Sequence, residues 1–331
     1  MRKLCDTICR DMQEGRDSVL LTVCERRGSA PRGAGASMLV YRDGSQVDTI
    51  GGGAVEYAAA KEAMNLFETR GSRTIVYRLN ANEIAEAGMI CGGTVCVLLM
   101  YLCPDEENRR LFQALTAARD TGAKAALVCR LAEGEVAETG WWDGRELHGI
   151  RADLPHTGDG AYLSEDETLL YEPVSLGARA LVFGGGHVSQ KLVPLLGFVD
   201  FRCVVLEDRA AFADPALFPP EAEVVLGDFS DIRRSVTVDA EDYAIVTTRG
   251  HQADYAVLRQ LLRTPARYIG CIGSRHKIAL TRQSLMEDGF TEADCARVHT
   301  PIGIPIGAQT PEEIAVSIAA ELIACRAGAG E

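Results

Sequence analysis

The sequence predicts an α/β protein, with a doubly wound parallel sheet in its C-terminal half and a mixed α+β domain before it. Three observations carry this. From Ala178 onward, short apolar runs alternate with helical segments. The first of these runs leads through Gly184-Gly185-Gly186 straight into a helix, the opening unit of a Rossmann-type fold. Before Arg151 the chain instead mixes long β-rich runs with fewer helices and three glycine-rich segments. The expected division is an N-terminal domain over 1–150, a linker over 151–177 and a Rossmann-type domain over 178–331.

Leu4, Ile8 and Met12 recur at helical spacing, and Gly15 stops that helix. Ser18–Glu25 is a β-rich apolar run, followed by a loop through Gly28–Ala36. Ser37–Tyr41 and Gln46–Ile50 read as strands joined by a turn at Asp43-Gly44. Gly51-Gly52-Gly53 opens a helix from about Ala54 to Thr69. Strands follow at Arg73–Leu79 and Thr94–Leu102, then a helix over Glu106–Thr121 and a strand-rich stretch from Ala125 to Leu147. Arg151–Gly177 has no clean period; as a linker, it is also able to donate a strand or two to the first domain. The C-terminal strands are Ala178–Phe183, Arg202–Leu206, Glu223–Leu226, Tyr243–Thr247 and Tyr268–Ile272. Helices are expected over His187–Leu196, Gln252–Arg263 and Lys277–Asp288. In the last helix Thr310 caps, Pro311 takes the first position and Glu313 completes a capping box.

The composition is that of a globular protein: 331 residues, 47% hydrophobic and 24% charged. No run is long enough to span a membrane. The charged start, Met1–Asp6, lacks an apolar signal core, so a cytoplasmic location is expected. The 11 cysteines are scattered without a Cys-x-x-Cys pair, which argues against a disulfide framework or zinc ribbon. A net charge of −13 disfavours nucleic-acid binding through a broad basic face. Any anionic ligand must then meet a local positive cluster: Arg26, Arg27 and Arg32; Arg249 with His251; or Arg275, His276 and Lys277.

The segment Phe183–Ser189 sits between strand and helix, where a glycine turn binds phosphate. Gly184 permits the turn, Gly186 lets backbone approach an anion, and His187 begins the helix whose free N–H groups face it. Ser189 stands where a third glycine is usual. Glu207 ends the second strand about 20 residues on, the place of a carboxylate that grips ribose hydroxyls; Asp208 is the alternate. Arg209 leaves NAD and NADP undecided. The same glycines also serve simply to pack helix on strand. Arg249 and His251 follow the fourth strand and face the ligand crevice, with Asp254 one turn on to orient His251. In the first domain, Gly51, Gly52 and Gly53 precede a helix and suit an anion, while Glu56 in its first turn suits the helix dipole or an orphan N–H. Cys91, beside Gly92-Gly93, is the cysteine best placed to act as a thiolate, a soft donor for a metal; Cys96 and Cys103 look like core.

The segments Gly28-Ser29-Ala30-Pro31-Arg32-Gly33-x-Gly35-Ala36, Ile50-Gly51-Gly52-Gly53-x-x-Glu56 and Cys91-Gly92-Gly93 resemble the N-terminal signature of the XdhC/CoxI proteins. The second half agrees at Gly184–Ser189, Glu207-Asp208-Arg209, Thr248–His251, Tyr268–Lys277, Pro301–Gly303 and Thr310–Ala315. The resemblance runs from about Ser18 to Ala324, and is loose over Arg109–Leu176. It implies an accessory factor that binds molybdenum cofactor (molybdopterin), supports its sulfuration by a cysteine desulfurase, and delivers it to an apo molybdenum hydroxylase like xanthine dehydrogenase. A homodimer is a further expectation of the resemblance, and a selenium-dependent client is an alternative one. Two other readings stand beside it: an NAD(P)-dependent oxidoreductase, from the Rossmann turn alone, and a nucleotide-sensing interaction protein.

Overall fold

The computed structural model describes residues 4–28, 33–79, 93–121, 123–154, 160–174, 177–273 and 275–328. They form two compact units, Met1–Leu176 and Gly177–Glu331.

The first unit is built on one antiparallel sheet. Its strands are β1 (Ser18–Gly28), β2 (Ser37–Val40), β3 (Gln46–Asp48), β4 (Arg73–Leu79), β5 (Gly93–Leu102), β6 (Ala126–Ala132), β7 (Glu135–Trp142), β8 (Leu147–His148), β9 (Tyr162–Leu163) and β10 (Leu169–Pro173). The order is β3-β2-β1-β5-β4-β7-β6-β10-β9, with β8 on β7. Helices α1 (Cys5–Gln13) and α3 (Glu106–Thr121) cover one face, packing Ile8, Met12, Phe112 and Leu115 on Leu20, Leu98 and Met100. Helix α2 (Gly53–Thr69) covers the other, packing Val55, Ala59 and Leu66 on Val19, Leu21, Val97 and Leu99. With both faces covered, every residue of β1 from Ser18 to Cys24 and of β5 from Val95 to Leu102 is buried. This is why these strands read as unbroken apolar runs rather than alternating ones. The stretch expected as a linker contributes β9 and β10; the latter pairs Leu170 with Cys129 of β6.

The second unit carries a parallel sheet of β11 (Arg179–Phe183), β12 (Arg202–Glu207), β13 (Glu223–Leu226), β14 (Tyr243–Val246), β15 (Tyr268–Cys271) and β16 (Val298–His299). Its order is β13-β12-β11-β14-β15-β16. This is the doubly wound Rossmann order, with the direction of winding reversing between β11 and β14. Helices α4 (His187–Phe198) and α8 (Pro311–Arg326) bury Leu192, Leu196, Ile318 and Leu322 against one face. Helices α5 (His251–Leu261) and α6 (Arg275–Glu287) bury Val257, Leu261 and Leu285 against the other. A short helix α7 (Glu292–Ala296) leads into β16, the one strand of this sheet that the sequence pattern did not mark. Helix α8 starts as expected: the Thr310 hydroxyl accepts from the Glu313 amide, and Glu313 completes the box. No helix among the described residues is long and apolar enough to cross a membrane.

Candidate functional site

The carboxyl ends of β11 and β14 meet where the winding reverses, so the turn after β11 opens on the crevice of the fold. Gly184 takes a positive φ of 111°, and its amide donates to the Leu206 carbonyl at 2.8 Å. A Cβ there would lie 2.6 Å from the Thr247 carbonyl oxygen. One on Gly185 would collide with the Phe212 carbonyl. Gly186 differs: a Cβ would meet nothing within 4 Å. Two glycines are therefore required by the fold, and the third faces open space at the start of α4, where an anion would sit.

The acid of this turn faces inward. Glu207 is 1% exposed. Its carboxylate accepts from the Gly185 amide at 2.7 Å and the Arg209 amide at 3.1 Å. The Arg209 guanidinium spans both oxygens, at 2.8 and 3.0 Å. Burial works against the charge, but Arg209, Asp208 and the two amides hold its pKa down at about 2. Glu207 thus fastens the phosphate turn to β12; with both oxygens engaged and buried, it does not stand free to grip ribose. Asp208, half-exposed beside it, is the carboxylate that faces solvent there. Its pKa is raised by burial and by Glu207. The Arg209 guanidinium lies 4.0 Å over the Phe212 ring, and exposed His187 meets that ring edge-on. Ser189 is fully buried, its hydroxyl 2.8 Å from that of Thr247, so it joins α4 to the end of β14 rather than contacting ligand.

Arg249 and His251 are exposed after β14, with Gly250 at φ 89° capping α5. Asp254 does not orient His251. It is 2% exposed and accepts from the Thr248 hydroxyl at 2.5 Å and the Lys277 ammonium at 2.7 Å. Asp254 and Lys277 line a cavity of about 250 Å³ with Cys271, Thr281, Cys295 and Thr300. Sequence reasoning missed this ion pair, whose partners come from α5 and α6 and have no shared spacing. The Arg275 and His276 side chains lie outside the described residues.

In the first unit the strand register brings the glycine segments to one end of the sheet. Gly28 pairs with Gly93, Leu79 with Gly93, Thr22 with Ser37 and Met38 with Asp48. The loops around Gly28–Ala36, Gly51–Gly53 and Gly93 therefore issue from the same edge. Arg32 and Cys91 belong to these segments but lie outside the described residues. Of the glycines expected to suit an anion, Gly51 and Gly52 have their amides turned in. Glu56 accepts from the Thr49 hydroxyl at 2.5 Å and from the Ile50 and Gly52 amides at 3.0 Å each. The Gly51 amide donates to the Thr49 hydroxyl. Burial opposes the Glu56 charge, but Thr49 and these amides hold its pKa below the usual carboxylate range. Glu56 and Glu207 do the same work: each is an acid that holds the backbone of a glycine turn.

The comparisons with known proteins agree with the fold of both units. A family model described as the XdhC Rossmann domain matches residues 180–322, and one for the XdhC and CoxI family matches 12–78. The chain is 25% identical to a protein of Bacillus subtilis described as a probable subunit of xanthine dehydrogenase, over 97% of this chain and 96% of that protein. It is 23% identical to the molybdenum cofactor insertion chaperone PaoD of Escherichia coli, over 95% of this chain and 85% of that one. It is 25% identical to the uncharacterized protein YqeB of Escherichia coli over 91% of its own length, and spans only 42% of YqeB. A crystal structure from Bacillus halodurans, described as a xanthine dehydrogenase, superposes with a TM-score of 0.80 at 27% identity, covering 98% of this chain and 95% of that one. From both halves, the chain belongs to the XdhC/CoxI family.

Proposed function

We propose that this protein is an accessory factor in the maturation of a molybdenum hydroxylase of the xanthine dehydrogenase type. In this reading it binds molybdenum cofactor, supports sulfuration by a cysteine desulfurase and hands the cofactor to the apo-hydroxylase in the cytoplasm. The observation that carries the reading is the convergence of the three glycine segments on one sheet edge, in a chain similar over nearly its whole length to a cofactor insertion chaperone. When bound, the cofactor supplies a sulfur-ligated, oxidation-prone metal centre. Arg32 and the backbone of the Gly28–Ala36 and Cys91–Gly93 segments would hold its anionic end, and the Cys91 thiolate would supply a soft donor for its metal.

The Rossmann turn fits a phosphate-bearing group on its own evidence: the space above Gly186 is open and the α4 terminus faces it. We assign it a nucleotide, either NAD(P) or the nucleotide portion of a molybdopterin dinucleotide, with Asp208, Arg249 and His251 around it. An NAD(P)-dependent oxidoreductase is the second reading, favoured by the strand order and the turn. The deciding experiment purifies the protein from a host that makes molybdenum cofactor, denatures it and measures the fluorescent oxidised pterin. Near-stoichiometric pterin, reduced in Cys91→Ser, is expected. Protein free of pterin that steadily turns over NADH would sink the accessory reading in favour of the enzyme.

A further inference from the structure

Strand β1 carries a bulge. Val23 faces Val97 of β5 and Glu25 faces Cys96, so Cys24 is the extra residue. A bulge sets two residues against one on the partner strand, and here it places Cys24 beside Cys96. Both cysteines are unoxidised, buried, and part of the core beneath α1 and α3. The thiols are in hydrogen-bonding reach. That contact, with burial, raises the Cys24 thiol, while the proton Cys24 offers lowers Cys96. The pair is thus unequal, with Cys96 the readier thiolate and Cys24 the proton holder.

A third group enters the same core. Glu172 of β10 is 2% exposed, and its Oε2 has no hydrogen-bond partner among the described residues. Its charge acts on Cys24, and burial pushes its own carboxyl up to about 7. A buried carboxyl oxygen without a hydrogen-bond partner is able to take up a proton.

We propose that Cys24 and Cys96 form a reversible disulfide, with a hydroperoxide as oxidant and Glu172 as the proton acceptor. The Cys96 thiolate attacks the peroxide oxygen; the O–O bond breaks, leaving a sulfenic acid and a hydroxide that becomes water with the proton Cys96 released on ionising. Cys24 gives its proton to Glu172 and attacks the Cys96 sulfur. The S–O bond breaks, and the departing hydroxide takes the proton back from Glu172. Two thiols lose two electrons in all, and hydrogen peroxide becomes two waters. Cys24 lies four positions before Gly28 and Cys96 three after Gly93, so the bond would clamp the strand ends from which the glycine segments issue. The proposal does not depend on what those segments bind.

The test uses the full chain, reduced, treated with stoichiometric hydrogen peroxide, alkylated, digested and analysed without reductant by mass spectrometry. A Cys24 peptide joined to a Cys96 peptide, reversed by dithiothreitol and still present in Cys91→Ser, is expected. Cys24→Ser should leave a sulfenic acid at Cys96 that dimedone traps; Cys96→Ser should remove both products. Glu172→Gln should slow formation of the link at least tenfold while the thermal transition stays cooperative. Cys24→Ala and Glu172→Asp replace any variant that does not fold. Absence of the link, or its formation between other cysteines, overturns the proposal. An unchanged rate in folded Glu172→Gln overturns the role of the carboxyl.

Discussion

Three consecutive glycines in the phosphate turn look interchangeable in the sequence, and the structure separates them. Gly184 is required by its positive φ and by the nearness of the Thr247 carbonyl. Gly184→Ala should therefore destabilise the protein by about 2–4 kcal/mol. Gly186 has open space before it. Gly186→Val should change stability by less than about 1 kcal/mol and still abolish nucleotide binding, because the new side chain fills the place of the phosphate. Calorimetric titration with NAD, NADP and molybdopterin nucleotides checks this, alongside a thermal melt. A parent protein that binds none of them would show that the turn only packs helix on strand. The position of each acid was legible at this scale, but the direction of Glu207 was not. Glu207 stands where a ligand-gripping carboxylate belongs and turns inward onto backbone amides, whereas Glu56 takes up N–H groups at its helix start as expected. Spacing along a chain fixes which end of an element a side chain occupies. It does not say whether that side chain faces solvent or the turn itself.

Elements with a strong period were read nearly to their ends. Helix α3 and strands β4 and β13 fall on their expected bounds, and most others differ by one to three residues. The start of α8 was readable because its signals are chemical: a capping hydroxyl, a proline and an acid at fixed offsets. Thr310→Ala removes the hydroxyl that accepts from the Glu313 amide and should cost about 1 kcal/mol. Denaturant unfolding should show a lower midpoint at unchanged slope. A larger loss would mean that the cap also holds the preceding loop. Strands β8, β9, β10 and β16 were not legible as elements. They are two to five residues long, too short for a period, and β10 ends in a proline that reads as a break. Missing β10 hid Glu172. Once Leu170 is placed inward, alternation places Glu172 inward as well.

For the whole molecule, two buried carboxyls pull the dependence of stability on pH in opposite directions. Glu207 has a folded pKa of about 2, below its unfolded value. Its contribution is full above the ordinary carboxylate range and is lost as pH falls through about 2. Glu172 is raised to about 7. Its neutral form is the one the fold tolerates, so this contribution is full below the ordinary range and is lost as pH rises through about 7. Glu172→Gln should accordingly be most favourable in alkali. Between about pH 4 and about pH 9 its stability relative to the parent should rise by up to about 3 kcal/mol. Denaturant titrations at both ends measure this, and a difference that does not change with pH would show a solvated carboxyl. The mixed antiparallel first half and the parallel second half were legible from composition and alternation. The chemistry gathered at each sheet edge was not, because it depends on strand register.

The strand order of the second unit also bears on how the chain is made. The central strand β11 takes β12 on one side and β14 on the other. Its first residue, Arg179, is clasped to Asp242 at 2.7 Å across 63 positions of chain. During synthesis β11 must therefore wait, one edge bare, until β14 leaves the ribosome. Nascent chains in that interval present an unpaired apolar strand, the form most open to pairing with a neighbour. The strand order therefore predicts that capture of that edge, more than the stability of the finished fold, should limit production at high translation rates. Slower synthesis at low temperature should raise the soluble yield more than any stabilising substitution elsewhere.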